Sequence, residues 1–235
     1  RLELDRDNKS SNAAIGASVG TGGITVDVSA SFGKGFTEGS VVTHKESQIT
    51  AANQLTIKSG GDATLRGATA KGARIETDIQ GDLNLISEQD TQVDKSRQES
   101  GGVSASIPIA GSGSVSANYQ EQKGDGTYAS VNEQTGLFAG EGGFDIKVKG
   151  NTDLKGAVIS SEAAPEKNQL TTGTLTFSDL ENKAEYEATT RGGGISVGDG
   201  KASVIPDIPQ KESGDQEGTT KSAIGEGSIT RLSYN

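Results

Sequence analysis

Cysteine, tryptophan and methionine are absent from this 235-residue chain, and it has one histidine, four tyrosines and five phenylalanines. The missing cysteines exclude disulfides and thiolate metal sites, but they leave the compartment open, because cysteine-free chains are also common inside cells. No apolar run approaches the ~18–20 residues of a membrane helix, and no signal peptide opens the sequence. The chain starts RLELDRD without an initiator Met. It therefore reads as an excerpt of something longer whose address signals lie outside it. Positive charge is also in short supply: 22 Lys and Arg face 32 Asp and Glu, a net charge of −10, with no basic cluster. That speaks against nucleic acid as a partner, and against docking on anionic lipid by charge alone.

Hydrophobic residues make up only 31% of the chain and aromatics 4%, less than a globular enzyme of this length usually carries. Two classes fit so lean an interior: a partly disordered chain, or a repetitive β architecture with a thin aliphatic core. Disorder erases hydrophobic periodicity, and alternation is plentiful here, so the repetitive β class is the better fit.

The repetition is explicit. LTIKSGGDATLRGA (55–68) returns 89 positions later as FDIKVKGNTDLKGA (144–157), with Ile57 on Ile146, Leu65 on Leu154, Gly67 on Gly156 and Ala68 on Ala157. Ile49 and Phe138 share the offset. Gly/Ala/Ser-rich alternating segments recur at 13–35, 101–119 and 192–206, and AIGEGSITRL (223–232) opens a further copy. The chain thus reads as one repeat fragment, 1–235, with super-repeat units of roughly 13–100, 101–191 and a truncated 192–235. Self-similarity at fixed spacing marks stacked architectures, whose units bury their faces against one another.

A shorter beat lies inside each copy. Leu55 aligns with Ile75, and GGDATL (60–65) with QGDLNL (80–85), an offset of 20 that suits one turn of a β-solenoid. LTI, ATL, RIE and LNL then become short strands, pointing Leu55, Ile57, Leu65, Ile75, Leu83, Leu85, Ile146 and Leu154 to a narrow interior. Gly-Gly and Gly-Asp pairs are expected to supply positive φ at the corners, with Asp62 and Asp82 bonding the turn backbone. Gly67, Ala68, Gly156 and Ala157 suit corners where coils pass closely. Hairpins in an ordinary sandwich are the alternative, but they do not explain a double period.

The Gly/Ala/Ser segments read differently. Val103, Ala105, Ile107 and Ile109 alternate with small polar residues, GSG follows, and Val115, Ala117 and Tyr119 alternate back, which predicts a β-hairpin that leaves the stack. SDLENKAEYEATT (178–190) carries both helical and strand spacing. Its position in the repeat, matching TQVDKSRQES (91–100), favours an extended strand.

Phrases such as TGLFAGEGGFDIKV, GNTDLKGAVISS and EKNQLTTGTLTFSDLENKAEY resemble the second filamentous-haemagglutinin repeat region of large two-partner-secretion exoproteins. The contact-dependent growth inhibition toxins of the CdiA family are the closest in likeness, which covers the full chain. The resemblance implies an all-β fold: a right-handed parallel β-helix, or β-solenoid, with coils of about 20 residues and β-hairpin excursions. It also implies a secreted, bacterial cell-surface filament, exported through a two-partner outer-membrane transporter and engaging the outer membrane of a target bacterium or a cell-surface component during toxin delivery. No export domain, pretoxin motif or toxin sequence is present in these residues.

Chemistry is sparse. His44 sits in VVTHKES, and its counterpart in the next copy is Glu133, so the repeat does not preserve it. A lone histidine beside Lys45 fits a solvated surface better than a Ser–His or Cys–His pair. SGGDATLRG and KGDGTYAS resemble calcium-binding nonapeptides only faintly, since neither recurs at nine, and DRDNKS lacks the glycine and terminal Glu of an EF-hand loop. No catalytic residue, metal site or cofactor is expected. Three functions compete: a stalk or delivery segment, an adhesin binding module, and a carbohydrate-active β-helix enzyme. The first fits the repeats over the full length. The second needs a solvent-facing aromatic or Arg cluster, and the third needs clustered acids on one ladder.

Overall fold

A computed structural model describes residues 1–20 and 23–232, and they are almost wholly β-strand. In chain order the strands begin with β1 (Leu2–Gly20), β2 (Gly23–Val42), β3 (Ser47–Ser59), β4 (Ala63–Arg66) and β5 (Ala68–Ile79). Next come β6 (Leu83–Ile86), β7 (Asp90–Pro108), β8 (Ser114–Ser130), β9 (Gly136–Lys155) and β10 (Val158–Ser161). After one 3₁₀ turn at Pro165–Lys167 follow β11 (Gln169–Ser178), β12 (Leu180–Gly198) and β13 (Lys201–Ile205). β14 (Gln210–Thr220), β15 (Ala223–Ile224) and β16 (Ser228–Arg231) close the order. Among the described residues no helix is long and apolar enough to cross a membrane.

The chain divides into two compact units. One collects residues 1–41, 92–127 and 184–216; the other collects 42–91, 128–183 and 217–235. The second unit is called the ladder unit here and the first the hairpin unit.

Every pairing among β3–β6, β9–β11, β15 and β16 is parallel, and these strands stack in three columns. In one, Ile49 pairs with Ala70, Ala70 with Leu137, Leu137 with Ile159, and Ile159 with Ile224. In the next, Ile57 pairs with Thr77, then Ile146, Leu170 and Ile229. The third stacks Leu65 on Leu85, Leu154 and Phe177. The 20-residue beat is therefore the pairing register itself, since Leu55 faces Ile75 and Ala63 faces Leu83. Alternation sends every second side chain inward, and like side chains stack into aliphatic rows. Ile75, Leu85, Ile146, Leu154 and Leu170 are completely buried in one core cluster. Each such side chain contributes at most about 1.5–3 kcal/mol of burial free energy.

The corners differ from expectation. Gly60, Gly61 and Gly81 have ordinary φ; positive φ falls at Gly67 (53°) and Gly156 (57°), just before Ala68 and Ala157, and at Gly143 (71°), which follows Gly142 in a Gly-Gly pair. Asp62 does not bond its own turn. Its Oδ1 accepts from the backbone N–H of Asp82 at 2.8 Å, and Asp82 Oδ1 accepts from Asn151 N at 2.7 Å, so each aspartate reaches the following rung. Rungs stacked ~4.8 Å apart bring that N–H within reach. The glycines answer this crowding: a Cβ on Gly81 or Gly150 would run into Asp62 or Asp82 and the backbone of Gly61 or Gly81.

In the hairpin unit the sheet runs β1-β2-β7-β8-β12-β13, with β14 also paired to β12. β1 and β2 are antiparallel from Leu2↔Val41 through Gly20↔Gly23, and their turn lies outside the described residues. β7 and β8 fold back so that Ser104 Oγ faces Ser116 Oγ at 2.7 Å. β12 and β13 close through Asp199 (φ 50°) and Gly200 (φ 70°), the double positive φ of a type I′ turn. Of segment 178–190, Ser178 ends β11 and residues 180–190 lie in β12 as strand. The hairpins are longer than their Gly/Ala/Ser stretches, since the polar runs 2–12, 91–100 and 120–130 continue the same strands.

Candidate functional site

The residues singled out by sequence lie in the ladder unit. Ala68, Ile75, Leu83, Leu85, Ile146, Leu154 and Ala157 are buried. Leu55, Ile57 and Leu65 are only partly buried against the same cluster. They belong to β3 and β4, which pair on one side alone, so one flank of their side chains lacks a covering rung.

His44 lies where β2 gives way to β3, on a shallow hollow of about 530 Å³ lined with Glu46, Glu88, Asp90, Asn132 and Glu133. Its backbone N–H donates to Asp90 Oδ1 at 2.6 Å, and Asn132 Nδ2 donates to Asp90 Oδ2 at 2.5 Å. The ring makes no hydrogen bond of ordinary length: Nδ1 is 3.5 Å from Asp90 Oδ1 and Nε2 is 3.7 Å from Glu88 Oε2. Glu88 is taken by Arg66 at 2.8 Å. Glu46 is the unusual member. Burial first, then the charge and hydrogen bonding of Glu133, then the charge of Asp90 push its carboxyl up to about 7. Its Oε2 is buried without a hydrogen-bond partner. The cluster can exchange a proton near neutrality, but it sets no nucleophile against a histidine. Among the described residues no group of three His, Cys, Asp or Glu is placed to hold a metal ion.

A second polar cluster crosses the hairpin unit. Lys34 Nζ pairs with Glu99 Oε2 at 2.9 Å, and Arg97 Nη2 bridges Glu99 Oε1 at 2.6 Å to Glu121 Oε1 at 2.7 Å. Arg191 Nε donates to Glu121 Oε2 at 2.6 Å, and Lys123 Nζ stands 3.2 Å from Oε1. Glu121 is only 2% exposed although it is charged. Burial works to raise its carboxyl, but pairing with Arg191 and Lys123 prevails and holds it below the usual range. The Lys34 hydrogen bond, aided by Arg97, does the same for Glu99. Removing one partner of such a row strands the other charge. The sequence singles out only His44 and Glu133 of the first cluster and none of the second. One signal was available, because Lys34 and Lys123 share the 89-position offset.

The pairing register and the long offset repeat together describe a repeating β chain, and comparison with known proteins supplies its kin. The Hemagglutinin repeat family model matches residues 3–101 and 92–193. The chain belongs to the hemagglutinin-repeat family. It is 37% identical to "Deoxyribonuclease CdiA" of Yersinia pseudotuberculosis serotype O:3 (strain YPIII) over 98% of its length. It is 41% identical to "tRNA nuclease CdiA" of Escherichia coli O6:K15:H31 (strain 536 / UPEC) over 95% of its length, and 36% identical to "Toxin CdiA" of Yersinia pestis over 98%. These hemagglutinin repeats are thus of the CdiA type. They span only 22%, 7% and 7% of those relatives, so the nuclease names describe proteins many times longer. No solved structure matches the chain.

Proposed function

We propose that these repeats are a stalk segment of a secreted, cell-surface exoprotein that acts in toxin delivery to or across a target cell's outer membrane. On this reading the ladder unit is a right-handed parallel β-helix, with Leu65 and Leu154 as equivalent inward positions and the hairpins as excursions from the coils. The observation that carries it is the parallel register itself, in which Leu65, Leu85 and Leu154 stack in one column although residues 91–130 intervene between the last two. Such a ladder lengthens by adding rungs and asks nothing of any single side chain's chemistry. The CdiA likeness supplies the setting: export through a two-partner outer-membrane transporter and contact with another bacterium's surface. The nuclease activity named for two of these relatives belongs, on this reading, to sequence outside the matched share, and the repeats themselves carry no catalysis.

The test removes one unit of residues 101–191 in frame from a full-length exoprotein that carries this segment. Filaments imaged by electron microscopy should shorten, the protein should still reach the surface and hold target cells, and delivery of the toxic activity should fall. Undiminished delivery after removal of all 235 residues would refute the reading.

A further inference from the structure

The hairpin unit has two faces of opposite character, and the registers fix which residue lies on which. Ile15 pairs with Val28, so these two share a face, and Lys34 lies on it too because β2 alternates without a bulge. The ion pairs Lys34–Glu99, Arg97–Glu121 and Arg191–Glu121 carry that face across β7, β8 and β12. Val103, Val115 and Ile195 then share it by alternation, and Val204 joins through its pairing with Ile195. Each of the six strands thus presents a branched apolar side chain on one side, exposed by 40% at Val28 and by 81% at Ile15. The reverse side carries Asp27, Ser104, Ser106 and Ser116, which bond one another across strands.

We infer that this apolar face is the docking surface for a second copy of the chain, the two sheets stacking face to face. Two observations favour that occupant. Six strands about 4.8 Å apart and about six residues deep span on the order of 600 Å², the upper end of what monomers expose. Doubled, the area reaches about 1,200 Å², where stable interfaces begin. Charge is compatible as well: the ionic row from Lys34 to Arg191 borders the patch and alternates in sign within one chain, so closing the face leaves no carboxylate without its cation. Lipid is the competing occupant, and vesicle flotation separates it from self-association. The inference does not depend on the stalk reading.

Sedimentation velocity on the 235-residue chain tests it. The chain should dimerise at micromolar concentration, and Val28→Lys with Ile195→Lys should weaken the dimer by at least about 100-fold. Ser29→Lys, on the polar face, should leave it unchanged, and circular dichroism should show all three folded. The absence of cysteine permits a second readout. A thiol placed by Val28→Cys should become protected from alkylation as concentration rises, while one placed by Ser29→Cys should not. A chain that stays monomeric at high concentration, or a dimer indifferent to Val28→Lys, overturns the proposal. So does a monomer that floats with phospholipid vesicles and loses that property on Val28→Lys, since the face then belongs to lipid.

Discussion

The ladder unit and the hairpin unit are built from the same lean alphabet, yet only one has a core. Every buried hydrophobic residue among those described belongs to the ladder unit, while the buried charged side chains, Glu99 and Glu121, belong to the hairpin unit. Parallel rungs face inward on three columns and remove small aliphatics from water. In the antiparallel layer Ile15, Val103 and Ile195 remain exposed. Stacking, not composition, decides whether a valine or leucine stabilises this chain.

The sharpest way to break that contrast is one substitution in each unit. Leu154→Asp places a carboxylate at a fully buried position between Leu85 and Phe177 and should cost about 3–5 kcal/mol. Ile205→Asp alters a residue that is 67% exposed on the hairpin sheet and should stay within about 0.5 kcal/mol. Urea melts read both. Equal losses would mean that the hairpin sheet has a core of its own.

Hydrogen exchange sharpens the same contrast. At concentrations that keep the chain monomeric, amides of 13–20, 23–35, 101–119 and 192–206 should exchange before those of 55–85 and 144–177. Their opening should be easier by on the order of 2 kcal/mol, because local opening follows buried apolar contact. Uniform protection across both units would show that the single layer is held as firmly as the ladder.

The two units also differed in how openly the sequence declared them. The ladder was legible because an inward position must recur with the rung, so Leu55 and Ile75, or Leu65 and Leu154, repeat their neighbours' pattern. The corner glycines were legible as corners but not by cause: Gly81 and Gly150 leave room for Asp62 and Asp82, and positive φ falls at Gly67 and Gly156 instead. The polar half of each hairpin was not legible as paired strand. Its partners come from remote segments, Lys34 finding Glu99 and Arg191 finding Glu121, and no local pattern announces such pairs. Glu46 was hidden for the same reason, its neighbour Glu133 arriving from the next copy.

The smallest effect is also the one in which the two units should move in opposite directions. In the ladder unit Glu46 keeps its proton up to about pH 7, against a usual value of 4.5. Between those values the folded chain holds a proton that the unfolded chain has released, so the stability this supplies is full below 4.5 and is lost as pH rises through 7. Glu46→Gln stays neutral throughout. It should match the native chain near pH 4 and exceed its stability above pH 7 by about 1 kcal/mol, after discounting for the carboxyl's residual contact with water. In the hairpin unit Glu99 and Glu121 are held low. Their contribution is present above the usual carboxylate range and is lost as pH falls through their depressed values. Acid should therefore loosen the hairpins while it relieves the Glu46 cluster. Hydrogen exchange at pH 4 and pH 8, corrected for intrinsic rates, reads the two units separately. A parallel response in both, or a Glu46→Gln variant no more stable than the native chain at pH 8, would contradict the proton's placement on Glu46.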